Sequence, residues 1–219
     1  MLQQRLKEVE DRIQAAALRA GRPRESITLV AITKVFPSSV IREAYGLGLR
    51  HFGENYVQEF EAKAPEVGGL EGATFHFVGH LQSNKARRAA ELFQVIQTVD
   101  SERVARRVNE SGRALEVMLE VKLSPEGSKS GASPEDLPAL AEAVRSMTNL
   151  RLTGLMAMPP WSENPEDSRP HFRRLAGLAR ELGLRGLSMG MSHDFEVAIE
   201  EGATHIRIGS ALFGPRVRA

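Results

Sequence analysis

The stretch ITLVAITKVFPSSVIREAYGLGLRHFGEN, residues 27–55, decides the fold. It opens on a β-rich run, ITLVAITK (27–34), passes through a helix-like segment over 38–48, and ends on a second β-rich run, HFGEN (51–55). Ser38 offers that helix a start and Gly48 a stop. A strand, a helix and a strand in such close succession predict two parallel neighbours with the helix packed across them.

Outward from this unit the same rhythm repeats. Further β-rich runs lie at TFHFVGH (74–80), VIQTVD (95–100), LEVMLEVKL (115–123), LRLTGLMAM (150–158), GLSMG (186–190) and HIRIGSAL (205–212). Helix-like segments separate them at 56–64, 84–92, 101–112, 134–147, 166–182 and 194–201, with Gly112, Gly183 and Gly202 where helices should end. Ahead of them, Leu2, Leu6, Val9, Ile13 and Ala17 recur at helical spacing, and Gly21 and Pro23 stop that helix. The expected fold is α/β: a single (β/α)8 barrel of TIM type, one domain over 1–219, with an extra N-terminal helix over 1–20. No GxGxxG follows an early strand, which argues against an open dinucleotide-binding sheet.

Composition narrows the function classes. The 219 residues are 42% hydrophobic and 26% charged, with a net charge of +1, so no global field draws nucleic acid or anionic membrane. There is no cysteine, hence no disulfide framework, thiolate metal site or thiol nucleophile. No apolar run approaches the roughly 18 residues of a membrane span. The opening MLQQRLKEVEDRIQ has no apolar h-region, so the cytoplasm is the expected compartment.

In barrels of this kind the chemistry sits at the C-terminal ends of the strands. Those ends carry Lys34, Glu54 with Asn55, Gly79 with His80, Asp100, Lys122, Met158, Ser188 through Ser192, and then Arg207, Gly209 and Ser210. The strand middles read mostly as Val, Ile, Leu, Met and Ala. Lys34 either covers the rim with its stem or, partly desolvated, acts as a nucleophilic amine towards a carbonyl. In HIRIGS the two isoleucines suit the helix-facing side, which directs Arg207 into the barrel. There it is either paired with Glu54, Glu120 or Asp100, or it contacts a ligand. Gly190 with Ser192, and Gly209 with Ser210, form small-residue turns after the last two strands, where backbone N–H groups can approach a phosphate. Asn84 through Arg88 reads as a solvated helix start, and GSKSG (127–131) as a polar loop holding Lys129. These features fit a Schiff-base aldolase, a phosphosugar isomerase or a pyridoxal phosphate protein equally.

Read as strings, LVAITK (29–34), HFGENYVQE (51–59), HFVGHLQSNKAR (76–87), GSKSG (127–131), GLMAMPP (154–160), LSMGMSHDFEVAI (187–199) and HIRIGSALFG (205–214) resemble the pyridoxal phosphate homeostasis protein family. Its barrel is similar to the N-terminal domain of alanine racemase. The resemblance implies that Lys34 holds pyridoxal 5′-phosphate as a Schiff base. It implies that Ser192, Gly209 and Ser210 hold the phosphate, that Arg207 faces the pyridine nitrogen, and that Asn55 and Met158 lie near the ring. Lys129 and Lys85 become candidates for cofactor exchange. Lys122 stands where an asparagine is expected, and His80 and His193 receive no role. A fixed cation beside the pyridine nitrogen disfavours its protonation and weakens the ring as an electron sink. Alanine racemases add a second domain and a tyrosine from a partner chain, whereas Tyr45 and Tyr56 here fall on the first βα helix and just past the second strand. The expectation is therefore a non-catalytic monomer, with no catalytic residue and no metal. It would buffer pyridoxal phosphate or deliver it to apoenzymes that depend on it, and it would bind neither nucleic acid nor membrane. The alternative is a single-domain amino-acid racemase.

Overall fold

The computed structural model describes residues 1–124 and 130–215. Its centre is a closed barrel of eight strands, each pairing with the next and the last with the first. The strands are β1 (Thr28–Ile32), β2 (His51–Glu54), β3 (Thr74–Phe77), β4 (Val95–Val99), β5 (Leu115–Glu120), β6 (Leu150–Met156), β7 (Gly186–Met191) and β8 (His205–Ile208). Every pairing is parallel, including the closing one, which sets Thr28 against His205 and Ala31 against Ile208.

The helices are α1 (Leu2–Arg19), α2 (Ser38–Gly46), α3 (Val57–Val67), α4 (Ala86–Leu92), α5 (Glu102–Asn109), α6 (Leu137–Arg145), α7 (Arg169–Glu181), α8 (Phe195–Glu200) and the four-residue α9 (Ser210–Phe213). Helices α2 to α8 occupy the seven crossovers. Helix α1 packs on α8 and α9, buries Val9, Ile13, Ala16 and Ala17, and is pinned by the Arg12–Glu196 and Arg19–Glu200 ion pairs. It thus lies beside the short α9 that follows β8. Among the described residues no helix is long and apolar enough to cross a membrane.

Strand parity divides the side chains between two compartments. Leu29 and Ala31, Phe75 and Phe77, Leu187 and Met189, and Ile206 and Ile208 face the helices and join one continuous apolar cluster. The opposite faces fill the barrel's interior. There Val30, Ile32 and Val78 form a small separate apolar cluster, beside the buried polar residues His76, Gln97, Ser188 and Arg207. This corrects the expectation of apolar strand middles: those on β3, β4, β7 and β8 carry polar groups inward.

Candidate functional site

The C-terminal strand ends surround a cleft of about 260 Å³, and Lys34, Asn55, Met158, Ser192, Arg207, Gly209 and Ser210 all line it. The parity that turns Val30 and Ile32 inward carries on to Lys34, two residues beyond the end of β1. The strand is shorter than ITLVAITK implied, so Lys34 stands on a turn.

That turn is clamped on both sides. Lys63 Nζ donates to the Thr33 carbonyl at 3.1 Å, and the Val35 N–H donates to Glu59 Oε1 at 2.6 Å. Val35 has φ 64°, a conformation strained for a β-branched residue. Lys63 also meets Glu54 at 2.9 Å and Glu59 at 2.6 Å, and the Thr33 hydroxyl donates to Glu54 at 2.8 Å. Burial pushes the Glu54 carboxyl up, while Lys63 opposes the shift. Glu54, at the end of β2, therefore supports the Lys34 turn together with Lys63 of α3, and it pairs with Lys63, not with Arg207. Nothing in the sequence pointed to Lys63, a mid-helix lysine.

Arg207 is 4% exposed and hydrogen-bonds to Ser188 Oγ at 2.7 Å and to the Ala157 carbonyl at 3.0 Å. The expected partners Glu54, Glu120 and Asp100 make no ion pair with it among the described residues. Burial pushes its pKa down to about 10, partly offset by the charges of Asp194 and Glu120, so it remains a cation at neutral pH.

The third wall is built by the turns after β7 and β8. HIRIGSAL was expected to be strand throughout, but β8 ends at Ile208 and Gly209 leads into α9. Ser192 Oγ accepts the N–H groups of Gly209 and Ala211, each at 3.2 Å, and so ties the two turns together. Asp194, missed in the sequence, accepts the Met191 N–H at 2.7 Å and the Ser168 hydroxyl at 2.8 Å. Gly190 has φ 88°, and a Cβ there would lie 2.5 Å from that of Ala198, so the bend into this turn requires glycine.

Asn55 is placed by a close approach of β2 and β3: a Cβ on Gly79 would fall 2.1 Å from the Asn55 carbonyl oxygen. Pro159, Pro160 and Trp161 continue the wall from Met158, and His193 sits beside Trp161 with its Nε2 3.0 Å from the Glu163 carbonyl. Lys85 and His80 line a neighbouring pocket that shares Asn55 with the cleft. Lys122 lines neither pocket, and its N–H donates to the Ala132 carbonyl. Lys129 lies outside the described residues.

Over residues 6–217 the sequence matches the family described as alanine racemase, N-terminal domain. The pyridoxal phosphate homeostasis protein of Pseudomonas aeruginosa is 49% identical over 214 residues, covering 95% of this chain and 93% of the relative. The chain belongs to the pyridoxal phosphate homeostasis protein family. Another member, from Aquifex aeolicus, is 44% identical over 223 residues, covering 97% of each chain. Among solved structures, PipY of Synechococcus elongatus PCC7942 with PLP bound is 40% identical, with a TM-score of 0.83 over 98% of this chain and 100% of that one. Alanine racemase from Corynebacterium glutamicum shares the fold at 18% identity, with a TM-score of 0.70, and this chain spans 61% of it.

Proposed function

We propose that this chain binds pyridoxal 5′-phosphate in the mouth cleft, with Lys34 as its Schiff-base lysine. We propose further that it serves vitamin B6 and amino-acid homeostasis by buffering the cofactor or handing it to apoenzymes. The observation that carries this reading is the convergence of a lysine, a buried arginine and the Ser192–Gly209–Ser210 turns on one cleft. The cleft's chemistry suits the group. Lys34 supplies an amine for the aldehyde. Arg207, an obligate donor, suits an unprotonated ring nitrogen. The two turns offer small residues and hydroxyls to a phosphate. Ile32, Val78 and Met158 supply apolar walls for the ring.

A holding role is supported by what the cleft does not receive. Tyr45 donates its hydroxyl to the Glu71 carbonyl on the surface, and Tyr56 lines the neighbouring pocket. Neither tyrosine lines the cleft to serve as an opposed acid or base. The proposed setting is the cytoplasm, with the chain acting as a monomer.

Two incubations test the role. Loaded protein mixed with a pyridoxal phosphate-dependent apoenzyme should restore that enzyme's activity as the visible band of the loaded protein declines. Loaded protein with L-amino acids in deuterated water should give no sustained exchange at Cα. Multiple turnovers there would instead establish the racemase.

A further inference from the structure

Arg207 is the upper end of a hydrogen-bonded string that runs through the barrel. Its Nη1 donates to Ser188 Oγ at 2.7 Å, and that hydroxyl donates to Gln97 Oε1 at 2.6 Å. Gln97 Nε2 lies 3.0 Å from His76 Nδ1, and His76 Nε2 lies 3.0 Å from His51 Nδ1. The five residues come from β8, β7, β4, β3 and β2, so the barrel's closure alone brings them into line. Ser188 and Gln97 are fully buried and His76 is 1% exposed, while His51 opens β2 at the foot of the barrel.

The cation sets the direction of the first bond, and the orientation of the Gln97 amide sets the rest. A guanidinium can only donate, so Ser188 accepts from it and sends its own proton to Gln97 Oε1. The Gln97 amide nitrogen is then left to donate to His76 Nδ1. His76 must carry its proton on Nε2 and donate to His51, so both imidazoles are neutral. Burial holds His76 well below the usual histidine range, and repulsion from His51 and His205 adds to it.

We propose that Ser188, Gln97 and His76 are positioning residues for Arg207, and that the string couples the guanidinium to the histidines at the foot of the barrel. The proposal rests on the reading that Arg207 faces the bound pyridine ring. A buried chain of this kind polarises along its length, so an acceptor placed at Arg207 is felt at the far end. The string also has a second arrangement. A proton on His76 Nδ1 would forbid donation from Gln97, and the amide would turn over to give its nitrogen to Ser188. The titratable groups facing such a proton are His51 on β2 and His205 on β8, both opposed to it. Arg207 in turn opposes a proton on His205, and Glu116 on β5 favours one on His51.

The test is nitrogen NMR of the full chain with labelled histidine, titrated with pyridoxal phosphate while the visible band reports occupancy. The His76 and His51 ring nitrogens should shift with occupancy in the wild type, and the shift should vanish in Ser188→Ala. Gln97→Leu should weaken pyridoxal phosphate binding about tenfold and displace the pH profile of the visible band. Gln97→Glu, which still accepts from Ser188, should restore affinity to within about twofold of wild type. Unmoved histidine resonances at full occupancy would overturn the proposal, as would wild-type affinity in Gln97→Leu. A wild type with no visible band would overturn the cofactor reading itself and the proposal with it.

Discussion

The helix-facing side of the barrel wall and its inner side are made from alternate residues of the same strands, yet they differ in kind. Outside, Phe52, Phe75, Phe60, Phe93 and Phe77 touch ring to ring in sequence, within one apolar jacket. Inside, a few apolar residues, Val30, Ile32 and Val78 among them, stand beside a string of hydrogen bonds that ends at the cleft. Burial is nearly complete in both places, so it does not distinguish them. The jacket stabilises through area and packing density, which tolerate rearrangement. The interior is satisfied through directed hydrogen bonds, which fix where a cation points. Strand parity therefore decides what a substitution does: outward positions set stability, and inward positions set the ligand site.

Phe93→Ala is the largest expected effect on the outward side. It removes a fully buried ring stacked on Phe60 at 4.6 Å and should lower stability by about 3–5 kcal/mol in urea unfolding. Pyridoxal phosphate affinity of the folded fraction should stay unchanged, and a proportionate loss of affinity would blur the distinction.

Acid should act on the inward side. Burial, with repulsion from His51 and Arg207, pushes His205 down to about 4, and His51 and His76 are lowered too. An unfolded histidine takes its proton near pH 6.5 while the folded one does not. Stability is then fully present above about pH 6.5 and falls as the pH drops towards 4, by on the order of 3 kcal/mol for His205. Glu54, whose pKa is raised, works in the opposite sense. The surface carboxylates Glu166 and Glu200, held low by Arg169, add their own loss only below about pH 4.5. Urea midpoints that stay flat between pH 7 and 5 would contradict an interior of neutral imidazoles.

The smallest effect is a gain. Val35 is half-exposed at φ 64°, and Val35→Asn should relieve strain and stabilise the protein by about 1 kcal/mol, read as a raised Tm. Pyridoxal phosphate affinity should hold, because Glu59 and Lys63 still clamp the turn.

The barrel, and the gathering of seven expected residues on one cleft, were legible because both follow from local signals. Strand–helix alternation sets the topology, and strand ends set the active face. The interior string was not legible, since it depends on which strands meet across the axis. FHF, LSM and IRI do each place one polar residue between apolar neighbours, and that period-two signal marks His76, Ser188 and Arg207, whereas Gln97 in IQT has Thr98 beside it. Arg207 was caught because its charge demands a partner, whereas a glutamine or serine raises no such demand. The Lys63–Glu54–Glu59 knot escaped for the opposite reason. Charged residues on a helix are expected to face water, and only the packing of α3 against the end of β1 buries that lysine. The end of β8 was overrun because Ala211 and Leu212 continue an apolar run that the chain spends on a short helix.

The most direct test of the account is a visible spectrum of the protein with pyridoxal phosphate, followed by borohydride reduction and peptide mapping. The account predicts a visible band and a reduced adduct on Lys34, both lost in Lys34→Ala. A band that survives in Lys34→Ala, or an adduct mapped to another lysine, would place the ligand outside the cleft and contradict it.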